Sequence, residues 1–185
     1  NLLSAGSLST SATGNMTAGN IQTTGNFTAT AASLTSSNIT SHGAITVNAS
    51  TNASGQILGA GNILISGAAV QASAIASGVD FAATNAAGGT LAVGPAGTLD
   101  LTATTGNIVV GTLLSAGDLN ARSALLQANI LTGHGNVGID GGVRVANQLL
   151  GASDITINGN ANGVSAGLLA SGVDFAATKA AGGNI

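Results

Sequence analysis

The feature that most constrains this chain is a repeat of 18 or 19 residues that runs through nearly all of it. Short motifs opened by an aliphatic residue begin at Leu2, Ile21, Ile39, Ile57, Ile75, Leu113, Ile130, Leu149 and Leu168. The interval from Ile75 to Leu113 is about twice the others and reads as two periods, with one degenerate repeat around Gly94 and Pro95. Four residues after most openers stands a glycine (Gly6, Gly25, Gly43, Gly61, Gly117, Gly172), with Val79 and Ser153 as exceptions. A polar or small residue follows and then an apolar one.

The apolar series is Leu8, Phe27, Ile45, Ile63, Phe81, Leu119, Val137, Ile155 and Phe175, which predicts a single inward ladder. The polar slot before it holds Asn26, Asn62, Asp80, Asp118, Asn136, Asp154 and Asp174, residues suited to corners because they tolerate turns and bond to nearby backbone. Alternation continues in Ile45-Thr46-Val47, Ile63-Leu64-Ile65 and Ile155-Thr156-Ile157, the period of two expected of strands. A third apolar position recurs at Met16, Leu34, Val70, Leu126, Val145 and Val164. Each unit thus reads as three short strands separated by corners.

A unit this short cannot bury its apolar side chains alone, but stacking on its neighbours makes a continuous core. The expected fold is all-β: a right-handed parallel β-helix of about ten coils, each with three short strands. At about 4.8 Å per coil it would be roughly 48 Å long. Residues 1–185 form one repeat segment with an irregular coil near 92–98, since Pro95 cannot donate to a central ladder. Phe81 and Phe175 are expected among the most buried side chains. A longer echo, Ala76 to Thr84 returning unchanged as Ala170 to Thr178, fits five units of about 19 residues.

Composition supports strands over helices and narrows function. Hydrophobic residues make up 44% and charged residues 5%, with 29 Gly and no Glu, Trp, Tyr or Cys, so the side chains that normally clothe helix faces are missing. Mean hydropathy of +0.47 argues against a disordered chain. Arg122, Arg144 and Lys179 are scattered and the net charge is −3, so no basic footprint for nucleic acid exists. No apolar run reaches the roughly 18 residues of a spanning helix, so this segment is not expected to insert in a membrane.

The six acidic residues are all Asp, and Asp80, Asp118, Asp154 and Asp174 share their slot with Asn in other units. That favours a turn role over the clustered acid and base of a polysaccharide-cleaving site. A Gly/Asp-rich stretch from Gly133 to Gly142 faintly resembles a calcium-binding nonapeptide, but it occurs once and such sites need tandem copies. His42 and His134, the only imidazoles, read as separate exposed corner residues. Sequons at Asn15, Asn26, Asn38, Asn48 and Asn52 match the frequency expected of a chain rich in Asn, Ser and Thr. No catalytic residue, metal ligand or cofactor site is expected, and the chain is not expected to be an enzyme.

Units such as Leu113-Leu114-Ser115-Ala116-Gly117-Asp118-Leu119 and Ile57-Leu58-Gly59-Ala60-Gly61-Asn62-Ile63 resemble the repeats of filamentous haemagglutinin and related two-partner-secreted exoproteins, including those of contact-dependent inhibition. The resemblance implies export through an outer-membrane secretion partner and a place at the bacterial surface. It also implies a shaft that presents distal binding or toxin modules, or a rod whose face binds a receptor or glycan directly. The chain is expected to be a segment of a longer fibre. In isolation its uncapped coils are expected to fray or associate end to end.

Overall fold

The structure, a computed structural model, describes residues 1–175, 179–180 and 184–185. It is a parallel β-solenoid of about nine turns. Each turn has three faces, and on each face a strand pairs in parallel with its equivalent one turn away. On the first face the inward ladder runs Leu2, Ile21, Ile39, Ile57, Ile75, Leu113, Leu131, Leu149, Leu169. The second face stacks Leu8, Phe27, Ile45, Ile63, Leu99, Leu119, Val137 and Ile155. The third stacks Met16, Leu34, Thr51, Val70, Ile108, Leu126, Val143 and Val164.

These three ladders meet in one narrow core. Ile21, Phe27, Leu34, Ile45, Ile63 and Leu113 are all fully buried, as alternation along each strand requires. Thr51 interrupts the aliphatic series of the third face yet is buried. Its hydroxyl donates to the Ala49 carbonyl at 3.0 Å, which removes the cost of an unpaired buried donor. Some strands turn corners without a break, notably Leu119–Gly133 and Val137–Gly151.

Ile75 pairs directly with Leu113, so the long interval is not two periods and there are about nine coils rather than ten. The extra residues leave the stack after Ser77 and rejoin it at Leu99. The excursion spans far more than 92–98, and Pro95 lies within it, outside any strand. The core-ladder slot assigned to Phe81 therefore belongs to Leu99. Phe81 begins a short helix, α1 (Phe81–Ala86), capped by Asp80, whose carboxylate accepts the Ala83 N–H at 2.9 Å. An N-cap followed by Ala-rich sequence satisfies its own backbone locally and needs no neighbouring coil. Phe81 and Phe175 are half-buried, and neither lies on the second-face ladder.

Two openers shift by one residue. Leu131, not Ile130, and Leu169, not Leu168, hold the first-face ladder, and Leu168 is 52% exposed. A one-residue shift turns a strand's side chains to the opposite face, so the two choices are mutually exclusive. On the third face Val143 aligns with Leu126, while Val145 is buried beside Ala128. The echo between Ala76 and Ala170 spans four coil steps and the excursion, not five regular units. Its last residues, 176–178, lie outside the described ones.

This arrangement separates two positions that share a slot in the sequence pattern. Ile63→Ala should lower unfolding stability by about 2–5 kcal/mol, as for other buried aliphatics. Phe81→Ala should leave the main denaturant transition nearly in place. Urea unfolding of both variants checks this, and equal losses would contradict the placement of Phe81 outside the core.

Candidate functional site

The chemistry-bearing side chains are concentrated at the corners and on the outer side of the second face. At the corner between the first and second faces, a side-chain oxygen in most coils accepts the backbone N–H of the equivalent residue one coil on, the coils of Ala44 and Thr98 excepted. Asn26 Oδ1 accepts from Ala44 N at 2.9 Å, and Asn62 Oδ1 accepts from Thr98 N at 3.0 Å. Asp118 Oδ1 accepts from Asn136 N at 2.7 Å, Asn136 Oδ1 from Asp154 N at 3.3 Å, and Asp154 Oδ1 from Asn184 N at 2.9 Å. Asn and Asp are interchangeable here because the role needs only an acceptor oxygen.

Asp80 and Asp174 do not belong to this ladder. Asp80 caps α1, and Asp174 sits in the two-residue strand Val173–Asp174, paired antiparallel with Lys179–Ala180. The corner slot above Asp154 is filled by Asn184 instead. Asp80 and Asp174 both follow a residue where the chain has left the stack, which a purely periodic reading does not register.

A buried hydroxyl ladder, which the apolar repeat pattern does not include, lines the inside of the same corner. Thr23 and Ser41 each donate to the Gly25 carbonyl at 2.7 Å. Ser77 and Ser115 donate to Gly97 at 3.2 and 3.0 Å. The signal was present: Ser or Thr stands two residues after Leu2, Ile21, Ile39, Ile75 and Leu113. A second missed ladder joins Asn38 Nδ2 to Asn20 Oδ1 at 3.0 Å and Gln56 N to Asn38 Oδ1 at 2.9 Å.

On the outer side of the second face, Asp100, Asn120, Arg122, Asp140 and Asn158 line an open depression where Gly138 contributes no side chain. Asn120 donates to Asp100 at 2.8 Å, and Arg122 pairs with Asp140 at 3.3 Å. Both members of that ion pair are mostly exposed, so it adds at most about 1 kcal/mol. These groups could hydrogen-bond a polar ligand, but nothing here arranges a nucleophile, a base and an oxyanion site. Asp80, Asp100, Asp118, Asp140 and Asp154 are each committed to a structural contact. Among the described residues, no three His, Cys, Asp or Glu lie close enough together to hold a metal ion. Nor is any described helix long and apolar enough to cross a membrane.

The two histidines occupy equivalent places. His42 stacks on Phe81 with ring centroids 4.5 Å apart and planes 20° from parallel, and His134 stacks on Phe175 at 4.3 Å and 12°. Burial lowers the His134 pKa below the usual imidazole value.

Comparison with protein-family models, curated proteins and solved structures finds no match.

Two outcomes follow from these contacts. Asp118→Asn should be nearly silent, because the amide oxygen still accepts the Asn136 N–H, whereas Asp118→Leu should cost about 0.5–1.5 kcal/mol, the net worth of one hydrogen bond at an exposed corner where water can take the donor. Urea midpoints distinguish them. For His134, a folded pKa below about 6.5 means that the unfolded chain binds the proton more readily. The stack's contribution is therefore full above that pH and is lost as pH falls toward the lowered folded value. NMR titration of the His134 ring should give a midpoint below that of a free imidazole, and His134→Phe should remove this part of the pH dependence.

Proposed function

We propose that this chain is a length of shaft from a secreted or surface-attached bacterial exoprotein of the filamentous haemagglutinin type. In this reading it holds binding or toxin modules away from the cell and is not itself an enzyme. The observation that carries the reading is where the polar side chains are spent. Asn, Asp, Ser and Thr at the corners bond to the next coil, which lengthens and stiffens a rod. Export through an outer-membrane secretion partner and a place at the bacterial surface belong to the same proposal. The half-buried Leu2, Leu8 and Met16 at the first coil support end-to-end association of the isolated segment, which sedimentation would detect.

A second reading, direct adhesion through the side of the rod, has one specific observation in its favour: the polar depression around Arg122 and Asp140. Against it, no described aromatic ring lines that depression to stack on a sugar. The test is binding of the purified rod to glycan arrays and to host and bacterial cells. The shaft reading expects no saturable binding. Saturable binding that is lost when Arg122→Ala and Asp140→Ala are combined would replace the shaft with a direct adhesin.

A further inference from the structure

The outward side of the first face differs from that of the other two. Its row runs Leu3, Gln22, Thr40, Leu58, Ala76 and Leu114, so three successive coils, from Leu58 to Leu114, turn an apolar, uncharged side chain outward. In the same three coils the second face presents Leu64, Asp100 and Asn120, and the third presents Gln71, Val109 and Gln127. The first-face strip is nonetheless dry. Leu58 is 8% exposed and Ala76 fully buried, whereas Leu3, in the same row at the first coil, is 70% exposed. The excursion makes the difference: Val79 is buried against Leu58 and Ala76, and Phe81, Leu91 and Leu114 pack on the same cluster.

Several independent contacts seat this cover. Val79 N donates to the Gly59 carbonyl at 2.9 Å, which ties the outgoing limb to the shaft. Asp80 N donates to the Ala92 carbonyl at 2.9 Å and Gly94 N to the Gly78 carbonyl at 2.7 Å, which tie the outgoing and returning limbs together. The Phe81 ring also stacks on His42. The cover is therefore a fixed part of the rod's surface.

The stack itself closes beneath the excursion. Gly78 N donates to the Gly61 carbonyl at 3.2 Å, and Gly117 N donates to the Gly97 carbonyl at 2.8 Å, so the corner ladder passes through the neck. The two limbs meet there backbone against backbone: a Cβ on Gly97 would lie 2.5 Å from the Gly78 Cα. Residues 79–96 can therefore be excised and Gly78 joined to Gly97 with the pairing of Ile75 to Leu113 kept. The excised rod would bare a flat apolar strip, the kind of surface through which sheets pack face to face. A second copy presents the same strip, and no charge on either one opposes their approach.

We propose that the excursion is a built-in cover over a rod-to-rod interface: Val79, Phe81 and Leu91 occupy the place that the first face of a second copy would otherwise take. With the cover seated, neighbouring shafts do not pair side by side through this face. This goes beyond the shaft reading and does not depend on it.

Sedimentation of the chain with residues 79–96 excised, run beside the parent chain, tests the cover. The excised chain should sediment as face-to-face pairs of the parent species, about twice its mass. Adding Leu58→Asp, which sets a charge on the strip, should return the parent profile, while Gln71→Asp, in the same coil on the third face, should leave the pairs intact. End-to-end association is common to all these chains and cancels in the comparison. A folded excised chain that sediments like the parent would overturn the proposal, and so would equal reversal by Leu58→Asp and Gln71→Asp. If excision unfolds the chain, the combined variant Val79→Ser and Leu91→Ser, which keeps the neck and strips the cover of its apolar contacts, decides by the same outcomes.

Discussion

The coil-to-coil backbone hydrogen bond is the interaction on which the rest of this structure depends. A core this thin, made of one or two aliphatic side chains per face, cannot hold a chain rich in Gly, Ala, Ser and Thr by burial alone. The parallel ladders give each residue of a strand two neighbours, and the corners extend the same pattern through side chains. Asn26, Asn62, Asp118, Asn136 and Asp154 replace the backbone acceptor where the strand bends. Thr23, Ser41, Ser77 and Ser115 satisfy carbonyls on the inner side of the bend, where water is excluded.

The same requirement explains how the rod carries insertions. A corner can open into an excursion only if the two residues at its neck still give and receive the bonds that the closed corner would have made. Gly78 and Gly97 do so, and they lie too close together for either to be anything but glycine. Near the other end of the described stack, Gly172 N donates to the Ser153 carbonyl and the Asn184 carbonyl accepts from Ile155 N.

The three-strand unit, the inward residues of most coils and the acceptor role of the corner Asn and Asp were legible in the sequence, because alternation and stacking leave a periodic mark. The insertion was not, because its length nearly equals one coil, so counting alone cannot separate an added coil from an excursion. The chemical clue was Asp80 followed by Phe-Ala-Ala, a helix start rather than a strand. The register at Leu131 and Leu169 was obscured by paired aliphatics, Ile130-Leu131 and Leu168-Leu169, either of which satisfies the pattern. The constant interval of six residues to the second-face ladder, as from Leu113 to Leu119, selects Leu131 before Val137. The stacking of His42 and His134 on Phe81 and Phe175 could not be read from periodicity, because it joins residues two coils apart through segments that have left the repeat.

The central claim is that the stack is continuous beneath the excursion, with the coil of Ile75 directly against that of Leu113. The chain contains no cysteine, so a pair introduced as Gln71→Cys and Val109→Cys would provide its only thiols. Those residues are direct partners on the third face. Parallel neighbours stand about 4.8 Å apart, within the range that a disulfide spans. Mild oxidation of the folded double variant should therefore close an intramolecular disulfide with the fold retained. Failure of the two to link would contradict the account, since an intervening coil would separate their Cα atoms beyond the roughly 7 Å limit for such a bridge.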